Sequence, residues 1–289
     1  MQPWNIWKSK YNMPLNSVKV GNFYIHSVSD GYMIFQRDAF FPNLPIESWK
    51  PYPSYSDPKF EMNIGSFVIE GADKTILVDT GLGKLNHHIE QPMRETLLSE
   101  LEAFSIKPTD IDIVFLTHLH LDHVGTNMTR DNGVWKQTFP NAQYMVGKSD
   151  WEMFSRIINN PSFKYLEEQV QPLLSNGSLY LFEGEIPLTE GVVTIPTPGH
   201  TPGHTSLLIE SDGAKAVIMG DTVHIPPQVE QISWSPVPDR DKALSAETRS
   251  DLMDFIEKEQ ALIISGHFPK PGFGEIIQVG STRSYRPIT

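Results

Sequence analysis

The stretch Ile111-Asp112-Ile113-Val114-Phe115-Leu116-Thr117-His118-Leu119-His120-Leu121-Asp122-His123-Val124-Gly125 constrains this chain more than any other. Five of the residues between 111 and 116 are apolar or β-branched, which predicts a buried strand. If the backbone stays extended past Thr117, its period of two sets His118 and His120 on one side while Leu119 and Leu121 turn into the packing. Asp122 and His123 follow where the strand should turn, and Gly125 permits a sharp change of direction. Clustering these groups unpaired at the mouth of an apolar strand is costly, so the pattern reads as a metal site rather than a polar turn. Four donors in six residues are enough to serve two neighbouring ions.

Composition narrows the function classes. The 289 residues are long enough for one large domain, and we read residues 1–289 as a single one. A net charge of −12 repels phosphate backbones and anionic membrane surfaces, which argues against nucleic acid and membrane as partners. With no cysteine there is neither a disulfide framework nor a thiolate ligand. No apolar leader and no run of about 18 apolar residues stands out, so the expectation is a cytoplasmic protein acting on a small-molecule substrate.

Residues 1–16 read as an N-terminal arm whose Trp4, Trp7 and Tyr11 dock on the parent domain or on a second subunit, as in a homodimer. Residues 18–28 predict a strand with a hairpin at Asp30-Gly31, and His26 within it reads as structural. Residues 37–60, dense in proline and aromatics, are neither a central strand nor a long helix. The preferred reading is a lid or wall over the metal site, the alternative a structural wrap or dimer contact. Strands are expected at 63–70, 74–78, 143–146, 179–182, 192–195, 206–210, 216–219 and 261–264. Helices are expected at 92–104, 149–158 with Ser149 or Asp150 as cap, 161–174, and 241–259. Periodicity alone leaves α/β and α+β both open.

The pattern His118-x-His120-x-Asp122-His123 resembles the signature of the metallo-β-lactamase superfamily, and Thr197-Pro198-Gly199-His200, Gly220-Asp221 and Gly266-His267 follow in the order that family shows. The resemblance runs from about Val18 to Ile277. It implies an α+β fold, a four-layer αββα sandwich with the site at one edge between the sheets. It also implies that one ion takes His118, His120 and His200, the other Asp122, His123 and His267, and that Asp221 bridges both. Asp79 then supports a ligating histidine from behind, and His204 falls in a supporting position. His87 and His88 carry no metal role. Nitrogen and carboxylate donors fit two divalent ions, zinc first, with iron, manganese and cobalt also accommodated.

Such a centre implies a hydrolase that uses a hydroxide between the ions, with Asp122 both ligand and proton carrier for the leaving group. Within the superfamily the layout looks most like acyl-homoserine lactonases and methyl parathion hydrolase, so a lactone or carboxylic ester is the expected substrate. Phosphotriester hydrolysis and a glyoxalase II-like thioesterase are the alternatives. A non-catalytic metal scaffold is disfavoured because every ligand position is filled. One departure concerns His224, which stands where those lactonases carry a tyrosine over the metals. An imidazole can still donate a hydrogen bond to a developing oxyanion, which makes His224 a candidate catalytic residue.

Overall fold

Two sheets carry the chain, and their strands show why. In a computed structural model describing residues 16–71, 73–84 and 96–288, the first sheet contains β1 (Ser17–Val20), β2 (Phe23–Gln36), β3 (Lys59–Glu70), β4 (Ile76–Val78) and β5 (Ile113–Phe115). A separate hairpin of β6 (Met128–Asp131) and β7 (Val134–Gln137) precedes β8 (Gln143–Gly147) and β9 (Leu179–Phe182), which complete the first sheet in the order β1-β2-β3-β4-β5-β8-β9. The second sheet runs in sequence order through β10 (Pro187–Thr189), β11 (Val192–Pro196), β12 (Thr205–Ser211), β13 (Ala214–Ile218), β14 (Leu262–Ile264), β15 (Phe273–Val279) and β16 (Thr282–Pro287). The helices are α1 (Arg37–Phe40), α2 (Leu97–Ala103), α3 (Leu121–Val124), α4 (Lys148–Phe154), α5 (Lys164–Gln169), α6 (Gln171–Ser175) and α7 (Lys242–Glu259).

Alternation sorts the apolar residues into layers. In β5, Ile113 and Phe115 enter the core between the sheets, while Val114 faces the outer core beneath the helices with Leu101, Phe154 and Leu166. In β14, Leu262 and Ile264 join that same inner core, and Ile263 faces α7 with Leu252, Met253 and Ile256. These strands are apolar throughout because both faces are covered, as parallel sheet interiors require. The result is the expected four-layer αββα sandwich, helices outside two packed sheets.

The parallel pairs decide where the site lies. β4, β5, β8 and β9 run parallel, as do β13 and β14. The chain leaves β4 at Asp79, β5 at Leu116, β13 at Met219 and β14 at Ser265, and in open sheets ligands gather outside such carboxyl ends. Two hydrogen bonds stitch the sheets together there, Gly65 N–H to the Gly266 carbonyl and Thr205 N–H to the Thr117 carbonyl, each at 3.0 Å.

Several expectations are corrected. The first hairpin turns at Gly21-Asn22, where Gly21 adopts φ 57°, and β2 continues straight through Asp30-Gly31 with only a register shift. Asp30 is not a turn residue: it is buried, and its carboxylate accepts from the N–H groups of Leu82, Gly83 and Leu97. Gly125 is needed for closeness, not for direction, since its φ is −66° and a β-carbon would collide with the backbone of Leu82. Asp150 does not cap α4, whose cap is Gly147. The helix expected at 161–174 breaks at Val170 ahead of Pro172, which cannot donate within a continuing helix. The β6–β7 hairpin and the closing β15–β16 hairpin, with mixed polar faces, have no counterpart in the expected elements. Trp4, Trp7, Tyr11, His87 and His88 lie outside the described residues, as does the start of the helix expected from 92. Among the described residues no helix is long and apolar enough to cross a membrane.

The segment 37–60 forms α1 and two single helical turns, Ile46–Trp49 and Pro53–Tyr55. Phe41 and Trp49, each 1% exposed, pack on Trp234 as core and do not line an open wall. Only Phe40 reaches the site, meeting the ring of His224 edge-on at 5.6 Å between centroids.

Candidate metal centre

The seven candidate ligands arrive from four connections at the same end of the sandwich. His118 and His120 follow β5 beyond its end at Phe115, and His120, itself in extended backbone, immediately precedes α3, which carries Asp122 and His123. His200 lies between β11 and β12, Asp221 just past β13, and His267 past β14. All seven residues come together. His118 Nε2 and His200 Nε2 each lie 2.9 Å from His120 Nδ1. His200 Nε2 is 3.2 Å and His118 Nε2 3.7 Å from Asp221 Oδ2. On the other side, His123 Nε2 and His267 Nε2 stand 3.3 and 3.1 Å from Asp221 Oδ1, while Asp122 Oδ2 lies 3.7 and 3.6 Å from those two nitrogens.

Two sets of donors thus gather around one buried carboxylate, His200 on Oδ2, His123 on Oδ1, and His267 Nε2 near both oxygens at 3.2 and 3.1 Å. His118, His120, His200 and Asp221 form one group with donor atoms within 4.8 Å of one another, and Asp122, His123 and His267 form another. Donors on a tetrahedral ion at ~2.0–2.1 Å are about 3.3 Å apart, which is the range seen here. The chemistry agrees with the spacing. His123 Nε2 and Asp221 Oδ1 are buried without a hydrogen-bond partner, an arrangement that is costly unless a cation fills the centre.

The electrostatics divide the imidazoles: burial opposes a charge on every one of them, yet the Asp221 carboxylate pulls His123 well above the usual histidine range, raises His267 and lifts His200 to about 9. Burial and the ring of His123 hold His118 well below the usual histidine range, and burial with His200 does the same for His120, so both stay neutral. Burial alone would raise the Asp221 carboxyl, but His267 and His123 foremost hold it well below its ordinary value. Burial lowers His204 to about 3 and keeps its Nε2 an acceptor for the Asp221 N–H at 2.9 Å, with Nδ1 donating to the Thr197 carbonyl. His204 therefore braces the backbone of Asp221 and points no nitrogen at the centre.

The outward-facing nitrogens are also held. His123 Nδ1 donates to Asp79 Oδ2 at 2.8 Å, and Asp79 in turn accepts from the Thr117 N–H and hydroxyl. His267 Nδ1 donates to the Asn63 carbonyl at 2.8 Å, and His200 Nδ1 to Asp239 Oδ1 at 3.0 Å. Such partners set the tautomer of a ligating imidazole. The His118 loop and the His200 loop are tied through Asp150, whose buried carboxylate accepts from Leu119 N–H at 2.9 Å and Gly203 N–H at 2.7 Å. Asp79 is legible in the sequence through its motif, whereas Asn63, Asp150, Asp239 and Arg249 carry no local signal.

His224 is 1% exposed, with Nε2 3.3 Å from Asp221 Oδ2 and neither ring nitrogen in a hydrogen bond. Its ring lies between Phe40 and the stacked ring of His267, 5.7 Å away at 14°.

Residues 63–267 match the family model described as Metallo-beta-lactamase superfamily. Among similar proteins, an N-acyl homoserine lactonase of Bacillus cereus is 26% identical over 218 residues, spanning 70% of this chain and 79% of that one. The hydrolase AbOPH of the beta lactamase superfamily superposes with a TM-score of 0.82 at 24% identity, over 94% of this chain and 97% of that one. AidC, a dizinc quorum-quenching lactonase solved with a product, superposes at 0.79 with 23% identity over the same shares. With the model covering the whole span from β3 to His267, the chain belongs to the metallo-β-lactamase superfamily.

Proposed function

We propose that this protein is a dinuclear metal-dependent hydrolase acting on a lactone or carboxylic ester. The observation that carries the reading is the placement of Asp221, with an imidazole set and a mixed imidazole and carboxylate set gathered around its two oxygens. His118, His120 and His200 would hold one ion, Asp122, His123 and His267 the other, and Asp221 both. Two such ions, zinc by donor type, supply Lewis acidity toward the substrate carbonyl and toward water. The lactonase identity of the similar Bacillus cereus protein supports the ester class.

The chain's own groups account for the rest. Asp122 is a partly exposed carboxylate donor, its side chain 11% exposed, and so is placed to take a proton at the centre and pass it to the departing alkoxide. Opening a lactone leaves that alkoxide on the same molecule as the new carboxylate, so one carboxyl group serves both transfers. His224, whose Nδ1 is without a hydrogen bond and whose Nε2 stands 3.3 Å from Asp221 Oδ2, is the candidate to donate to the carbonyl oxygen as charge develops there. His204, Asp79 and Asp150 hold the frame and touch no substrate.

The test is metal analysis of the purified protein followed by a panel of acyl lactones, aryl esters, a phosphotriester, nitrocefin and a glutathione thioester. About two ions per chain and preferred turnover of lactone or ester are expected. A single ion under metal-replete conditions, or preference for the phosphotriester or thioester, would overturn the reading.

A further inference from the structure

Asp239 belongs to neither ligand triad, yet its side chain is 0% exposed. Oδ1 accepts from His200 Nδ1 at 3.0 Å, and Oδ2 accepts from the Ser245 hydroxyl at 2.8 Å and from Arg249 Nη2 at 3.2 Å. Arg249, on α7, is equally buried. Its Nε donates to the Thr222 carbonyl at 2.7 Å, Nη1 to the carbonyls of Ile232 and Trp234 at 2.6 and 3.0 Å, and Nη2 also to Ser245 Oγ at 3.0 Å. Thr222 adjoins Asp221. One guanidinium therefore holds both the carboxylate behind His200 and the segment that carries Asp221.

A buried ion pair contributes little net stability compared with apolar residues of similar volume, so folding alone does not explain two fully enclosed charges here. Direction does. A carboxylate has no proton to give, so the hydrogen bond obliges His200 Nδ1 to be the donor and leaves the Nε2 lone pair aimed at the centre. We infer that Asp239, fixed by Arg249 and Ser245, is a positioning residue that sets the tautomer and aim of His200 and thereby the affinity of the ion position formed with His118 and His120. The inference rests on the dinuclear reading above.

Asp239→Asn separates this role from a structural one. The shape is kept, but the Arg249 and Ser245 donors claim the amide oxygen and turn its NH₂ toward His200 Nδ1, which must then accept and move its proton to Nε2. Apoproteins of both forms are titrated with Zn²⁺ against a chromophoric chelator, and their unfolding temperatures compared. One of the two ions should weaken by about 10–100-fold while the other is retained and the apoprotein unfolds close to the wild-type temperature. Unchanged affinity at both positions overturns the inference, and so does equal loss at both with a collapsed unfolding temperature. Failure of the wild type to bind a second ion would instead sink the dinuclear reading. Imidazole ¹⁵N NMR of the zinc-loaded wild type gives a measure that needs no variant. His200 should carry its proton on Nδ1, and a proton on Nε2 overturns the assignment.

Discussion

On the Oδ2 side of Asp221, the imidazoles of His118 and His200 each close on His120 Nδ1 at 2.9 Å, with a carboxylate bound into a buried guanidinium behind His200. On the Oδ1 side a carboxylate takes the place of one imidazole, Asp122 Oδ2 standing 3.6–3.7 Å from His267 and His123; His267 is held by a backbone carbonyl and His123 by the Asp79 carboxylate. On the function proposed above, the first side would anchor one ion, and the second, whose Asp122 side chain is partly exposed, would be the side of proton transfer.

Asp221→Ala removes the only donor shared by both sides and should have the largest effect, with metal content falling from about two ions toward none and hydrolysis falling to background. Retention of one full ion by this variant would show that the sides are independent. Asp122→Asn, assayed at saturating zinc, should lower kcat by about 10²–10⁴ if the Oδ1 side carries the proton. Were only zinc affinity to change, Asp122 would be a ligand and nothing more. Asp79→Ala unseats His123 and should weaken one ion by about 10–100-fold without touching the His118, His120 and His200 position, as metal titration would reveal. A loss on both sides would erase the distinction. His224→Ala should lower kcat by roughly tenfold with metal content intact, a cautious fraction of what one oxyanion donor supplies. Lost metal would make His224 a brace, and full turnover would remove it from the reaction.

Legibility followed the range of the interaction. The strand at 113–115, the helix of α7 with Asp241 accepting from Leu244 N–H at its start, and the motif histidines are written in neighbouring residues, where period and capping operate over a few positions. Asp30-Gly31 carries a turn signal as Gly21-Asn22 does, and the N–H groups of Leu82, Gly83 and Leu97 give Asp30 another use. Phe41 and Trp49 read as a wall because aromatic residues in a proline-rich loop look alike whether they line a cleft or fill a core. The packing of Trp234 on Trp49 at 4.6 Å decides that they fill it.

By itself the sequence determined the donor types and their order, since residue identity sets which atoms can ligate, while periodicity left α/β and α+β open and the sandwich followed from the family resemblance that the motifs carry. Tertiary structure alone decided which groups stand behind the donors: Asp239 behind His200 across 39 positions, Asp150 between loops 31 and 53 positions away, and Arg249 beneath Asp221 from a separate helix. An imidazole's tautomer depends on the one atom opposite its other nitrogen, and no local pattern can name an atom that only folding brings there.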